Sequence, residues 1–200
     1  MISFYKIKPK FQKLLKPILA RLYKLGITAN QITVSSIILS FLIGFSLCFH
    51  PYYRWGLLVV PIGLLIRMAL NALDGMMART YNMQSKLGEV LNEIGDVISD
   101  LFIFIPMTQI QGLNHELLAL FIGLSIVNEF AGFMGKLIGK ERRYDGPMGK
   151  SDRAFLVGII CLILFFRPID LIIINSIFII ASSLVVLSTV IRLKKGLEDG

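Results

Sequence analysis

Residues 55–100 read WGLLVVPIGLLIRMALNALDGMMARTYNMQSKLGEVLNEIGDVISD. The first part, 55–73, is an apolar run whose only charged residue is Arg67. A helix needs about 20 predominantly apolar residues to cross a bilayer, and this run supplies them. From Asp74 onward the character reverses, to a polar and ionisable segment at the end of a membrane span. Such groups are expensive there and call for a job.

The rest of the chain agrees with a membrane setting. Of 200 residues 55% are hydrophobic before the 17 glycines are added, and only 17% are charged. A soluble domain has roughly 45–50% apolar residues with glycine included and about 25% charged. Further apolar runs lie near 30–49, 97–112, 116–135, 154–166 and 170–192. The third of the six contains Pro106 and is extended by the polar helix before it, from about Gly88; the fifth is short, with Arg153 and Arg167 at its ends to snorkel. We expect an all-α, polytopic membrane protein with six transmembrane helices, preceded by an interfacial amphipathic helix.

Lysine and arginine placement tests that count. Eighteen fall in the N-terminal segment, 74–96, 136–153 and the tail; the alternate connections hold only Arg54 and Arg167, and Arg67 lies within a span. The bias predicts cytoplasmic termini, an even number of spans and a multi-pass protein of the cytoplasmic (inner) membrane. The net charge of +8 then reflects cytoplasmic loops and an anionic leaflet rather than nucleic acid.

The stretch FYKIKPKFQKLLKPILARLYKLG is too charged to span. It reads as a helix lying in the cytoplasmic interface and broken near Pro17; a disordered basic arm is the alternative. The start has no apolar core followed by a cleavage site, so it is no secretory signal peptide. Two parts are expected: 1–28 as the interfacial segment and 29–200 as one membrane domain. Cys48 and Cys161 sit in apolar runs and read as buried packing thiols.

Arg67, Asn71 and Asp74 share one helix face at i, i+4, i+7. Glu89, Asn92, Glu93, Asp96 and Asp100 form a second stripe at i, i+3, i+4, i+7, i+11. Two antiparallel helices joined by a turn around 80–87 would aim both stripes at one cleft. Oxygen-rich clusters suit hard cations such as Mg²⁺, which bind phosphate-bearing substrates. Small residues at Gly75, Ala78 and Gly88 permit close approach of a flat ring or a second helix. A solvated loop with ordinary charges would show the same composition.

The segment resembles the signature of the CDP-alcohol phosphatidyltransferases. That signature runs Asp, two residues, Asp-Gly, two residues, Ala-Arg, about eight residues, Gly, three residues, Asp, three residues, Asp. The matching positions are Asn71, Asp74, Gly75, Ala78, Arg79, Gly88, Asn92 and Asp96, with asparagine at the first and third aspartates. In the family the four carboxylates hold two divalent ions, and the last also deprotonates the acceptor. The resemblance implies metal binding by Asp74 and Asp96, more weakly by Asn71 and Asn92, with Asp96 as base. It places Gly75, Ala78, Arg79 and Gly88 at the nucleotide. The implied cofactor is Mg²⁺ or Mn²⁺, one or two ions, with Glu93 or Asp100 as compensating acids. The implied donor is CDP-diacylglycerol or a similar CDP-lipid, and the product CMP. A homodimer among membrane lipids, without nucleic acid, is also implied. A relative that binds CDP-lipid or lipid without turning it over, as a partner subunit, is the alternative. A transporter would draw only on the polar groups inside the spans.

The loop KLIGKERRYDGPMGKSDR offers Arg142, Arg143, Lys150 and Arg153 as an anion pocket for an alcohol acceptor that carries phosphate. Positive-inside topology accounts for these four almost as well. Glu129 with Asn128 lies inside the fourth span, and a structural pair of Glu129 with Arg67 is expected. Asn30 and Thr33, in TANQIT, are similar to the family's opening of the first span, and helix capping is an equal reading.

Overall fold

The structure, a computed structural model, describes residues 8–139 and 141–199. Lys6 and Lys140 of the basic series lie outside them. Among the described residues there are seven α-helices and no strand. They are α1 (Lys8–Lys24), α2 (Ala29–Cys48), α3 (Trp55–Thr80), α4 (Lys86–Phe104), α5 (His115–Ile138), α6 (Lys150–Phe166) and α7 (Leu171–Glu198).

Among the described residues four helices are long and apolar enough to cross a membrane: α2, α3, α5 and the stretch Ile172–Glu198 of α7. Their outer faces carry half-exposed Phe41, Phe45, Leu65, Ile66, Val127, Phe130 and Ile180, apolar surface that suits a lipid surround. The remaining two of the expected six fall short by length or charge. α6 has 17 residues, about 25 Å at 1.5 Å per residue, and α4 carries four acids. α4 ends just before Pro106, which sits in a 3₁₀ turn over Ile105–Gln109.

α1 runs unbroken through Pro17, contrary to the expected break. Pro17 is exposed, so the carbonyl one turn earlier that loses its partner can turn to solvent. The helix docks through Leu15 and Leu19 onto Ala29, Ile32, Leu73, Met76 and Met77. Tyr23 stacks on Tyr81, with centroids 3.6 Å apart. Ala29, not Asn30 or Thr33, opens α2, and the cap is Thr28. Its hydroxyl accepts from Gln31 N at 3.3 Å while Gln31 Oε1 accepts from Thr28 N at 2.8 Å, a reciprocal capping box.

α2 packs against α3 and α4, α3 against α6, and α5 against α7. A second, larger core lies toward the other end, around Leu47, Val60, Phe104, Phe121, Val157 and Phe178. Close approach of α2 to α4 is set by Gly44: a Cβ there would lie 1.8 Å from the Phe102 carbonyl oxygen. Cys161 is buried, whereas Cys48, expected to be a packing thiol, is exposed at the end of α2.

Candidate functional site

α3 and α4 are joined by a tight turn, 81–85, in which Asn82 takes a left-handed φ of 53°. Asn and Asp tolerate that region better than most residues. Ser85 then starts α4, its hydroxyl accepting from Gly88 N at 3.0 Å. The turn brings the two polar stripes together beside the N-terminal end of α2. The result is an open cleft of about 660 Å³.

Of the residues singled out in the sequence, Asn71, Asp74, Gly75, Ala78 and Arg79 of α3 line this cleft, with Gly88, Glu89 and Asn92 of α4 opposite. Asn30 and Thr33 close it from α2. A Cβ on Gly88 would come within 2.6 Å of Asn30 Oδ1, so this glycine lets α4 meet α2. Arg79 is exposed and folds back along Gly75, its guanidinium 3.4–3.8 Å from where a Cβ would stand.

Asp74 is buried, at 6% exposure. Its carboxylate accepts from the Thr33 hydroxyl at 3.0 Å and from the backbone N–H of Gly75. Asn71 Oδ1 accepts from the Ser36 hydroxyl at 2.7 Å. Thr33 as a partner of Asp74 and Ser36 as a partner of Asn71 went unseen in the sequence. Their i, i+3 spacing, two hydroxyls on one face of an apolar helix, was the available signal.

The acids of the second stripe are spent in ion pairs, Glu89 at the cleft wall and the others beyond it. Glu93 pairs with Arg142 at 2.9 Å, Asp96 with Lys150, and Glu89 with Lys136. Asp100 is buried between Arg67 (2.9 Å) and Arg153 (3.2 Å). Glu129 accepts from Arg153 and Arg142, both at 2.8 Å, with Arg192 at 3.8 Å. The expected Glu129–Arg67 pair is therefore corrected: Arg67 pairs with Asp100. Arg153, wholly buried, stands between Asp100 and Glu129 and joins both.

Each basic residue of the 141–153 loop thus has an acidic neighbour. Arg142 also lies over the ring of Tyr144, 4.8 Å from its centroid, and Tyr144 lines the cleft. Arg143 pairs with Asp199, and Lys195 with Asp145. That contact holds the Asp145 carboxyl below its ordinary range.

Among the described residues no three His, Cys, Asp or Glu side chains stand together as a metal cluster. The Asp74 carboxylate and the amide side chains of Asn71 and Asn92 line the cleft, and the second motif carboxylate, Asp96, lies one helical turn past Asn92 and is paired with Lys150. Such a set fits one hard cation that keeps part of its water. It does not fit two.

A family model described as CDP-alcohol phosphatidyltransferase matches residues 26–191. The chain belongs to the CDP-alcohol phosphatidyltransferase family. It is 46% identical over 160 residues to the inner membrane protein YnbA of Escherichia coli strain K12, covering 79% of this chain and 78% of that one. It is 34% identical over 95 residues to archaetidylinositol phosphate synthase of Pyrococcus horikoshii, 48% of either chain. Cholinephosphotransferase 1 of Saccharomyces cerevisiae is 25% identical over 135 residues, 64% of this chain and 33% of that one. Membership places the chain among transferases of substituted phosphate groups in phospholipid biosynthesis, built on membrane helices.

Proposed function

We propose that this protein moves a phosphatidyl group from CDP-diacylglycerol or a similar CDP-lipid to the hydroxyl of an alcohol. The acceptor oxygen forms a new bond to the lipid-bearing phosphorus, the bond from that phosphorus to the CMP phosphate breaks, and CMP leaves with the electron pair. The observation that carries this reading is the cleft itself: Asp74, Gly75, Ala78 and Arg79 on one wall, Gly88 and Asn92 on the other. A diphosphate head reaches it from the cytoplasm while acyl tails stay beside apolar helix faces.

In this reading the small residues Gly75, Ala78 and Gly88 let the nucleotide lie against the helices. Arg79, exposed at i+4 from Gly75, neutralises charge that develops on departing CMP. Asp96 takes the acceptor proton. Asp74, Asp96, Asn71 and Asn92 are the groups that would hold Mg²⁺ or Mn²⁺, whose chemistry is to neutralise the diphosphate. Glu93 and Asp100 support the site through Arg142, Arg67 and Arg153 rather than by facing the cleft. The acceptor approaches beneath 141–153. A phosphorylated one would be met by Lys150, Arg142, Arg143 and Arg153 only after displacing their carboxylates.

The same reading places α4 and α6 in the bilayer beside the four long helices, giving six spans with both termini cytoplasmic. α1 (within 1–28) then lies in the interface, and 29–200 forms the membrane domain. Exposed Lys13, Lys16, Arg21 and Lys24 alongside exposed Leu14 and Ile18 support that position for α1. An inner-membrane location and a homodimer complete it.

The test is CMP release by purified protein in lipid, with CDP-diacylglycerol and a panel of alcohols, with and without chelator. Acceptor-dependent release that disappears in Asp96→Ala is the expected result. Saturable CDP-lipid binding without release from any acceptor would replace this reading with a non-catalytic binder.

A further inference from the structure

We propose that Lys150 is a built-in cation that stands in for a second metal ion, so that the nucleotide-free site around Asp74 and Asp96 holds at most one divalent cation. The inference rests on the cleft being the CDP-lipid site. Two independent observations lead to it. In the sequence, the motif positions 71 and 92 are amides, which leaves Asp74 and Asp96 as the acids of the motif. In the structure, the Lys150 ammonium pairs with Asp96, both partly buried.

The position of Lys150 is fixed by its helix. It is the first residue of α6, whose start is held by Asp152 accepting from Gly149 N at 3.1 Å. The positive end of the helix dipole therefore points where the ammonium sits. Its charge reaches Asp74 as well as Asp96, and the two carboxylates feel one another. Two further acids of α4 are committed elsewhere, Glu89 to Lys136 and Glu93 to Arg142.

Charge decides the number of ions. Two divalent cations with Lys150 would set five positive charges against two carboxylates. One cation leaves three against two while no nucleotide is bound. At short range in a partly dry cleft the larger imbalance is prohibitive. The remaining lone pairs agree: Asn71 Oδ1 is already bonded to Ser36, and Asp74 to Thr33 and Gly75.

The experiment is Mn²⁺ titration of the full chain in phosphatidylcholine nanodiscs, without nucleotide, reading free Mn²⁺ by electron paramagnetic resonance. No more than one ion per chain is expected on the wild type. Lys150→Gln and Lys150→Ala should each raise Mn²⁺ affinity by about tenfold or more, while Lys150→Arg keeps the wild-type value. Two ions on the wild type, or unchanged or weaker affinity in the folded lysine variants, would overturn the proposal. The wild-type stoichiometry decides even if a variant fails to fold. Because no turnover is read, failure here leaves the transferase reading standing, and an absence of CMP release leaves the ion count unaffected.

Discussion

The hydroxyl of Thr33 donates to the carboxylate of Asp74 across 3.0 Å, tying the start of α2 to the acidic centre of α3. Both residues are buried. Removing the donor strands a carboxylate oxygen in a place where water replaces it poorly, and hydrogen bonds to charged groups contribute about 1.5–3 kcal/mol. Thr33→Val should lower unfolding stability by roughly that amount and reduce CMP release, while Thr33→Ser recovers most of both. Thermal unfolding in detergent and the release assay read the two effects.

Gly44 sets the distance between α2 and α4. Gly44→Ala forces its new carbon against the Phe102 carbonyl at 1.8 Å, backbone that cannot rotate away. The helices must part, and overpacking of this kind costs about 1–3 kcal/mol or more. A fall in melting temperature is expected. An unchanged melting temperature would mean that α2 and α4 do not approach this closely.

Arg153 bridges Asp100 and Glu129. Arg153→Met leaves two buried carboxylates short of a partner, and breaking a buried pair this way costs about 3–5 kcal/mol. Adding Glu129→Gln to Arg153→Met removes one of the stranded charges. The double variant should therefore be more stable than Arg153→Met alone, by unfolding in detergent.

Asp145 gives a pH signature outside the membrane segments. Contact with Lys195 holds its carboxyl below the ordinary 3.8, so the folded state binds its proton less readily than the unfolded chain. The stabilisation is complete above the unfolded value and is lost as pH falls through the lower folded value. The melting-temperature gap between wild type and Asp145→Asn should be flat near neutrality and close only below about pH 4.

Much of the fold is legible in the sequence alone. The runs near 30–49, 55–73, 116–135 and 170–192 became α2, α3, α5 and α7, because a bilayer-length apolar stretch has few other fates. Asn71, Asp74, Gly88 and Asn92 met in one cleft because helical periodicity and a short turn leave little choice. Partners across the bundle were not legible. Periodicity tells which face Arg67 occupies, but not that α4 rather than α5 lies against it, so Asp100 and not Glu129 is its partner. The contact of Lys150 with Asp96 spans 54 positions of sequence and depends on how α6 enters the bundle. Pro17 misled because its cost depends on whether the freed carbonyl is exposed, which a sequence does not record.

Arg153 has a consequence for how the helices come together. Alone in lipid, α6 would carry an unmatched arginine, α4 an unmatched aspartate and α5 an unmatched glutamate, each of them costly to insert. Brought together with Arg67 of α3, two arginines face two carboxylates and the charges balance. These side chains are therefore far less costly to bury as one packed group than helix by helix.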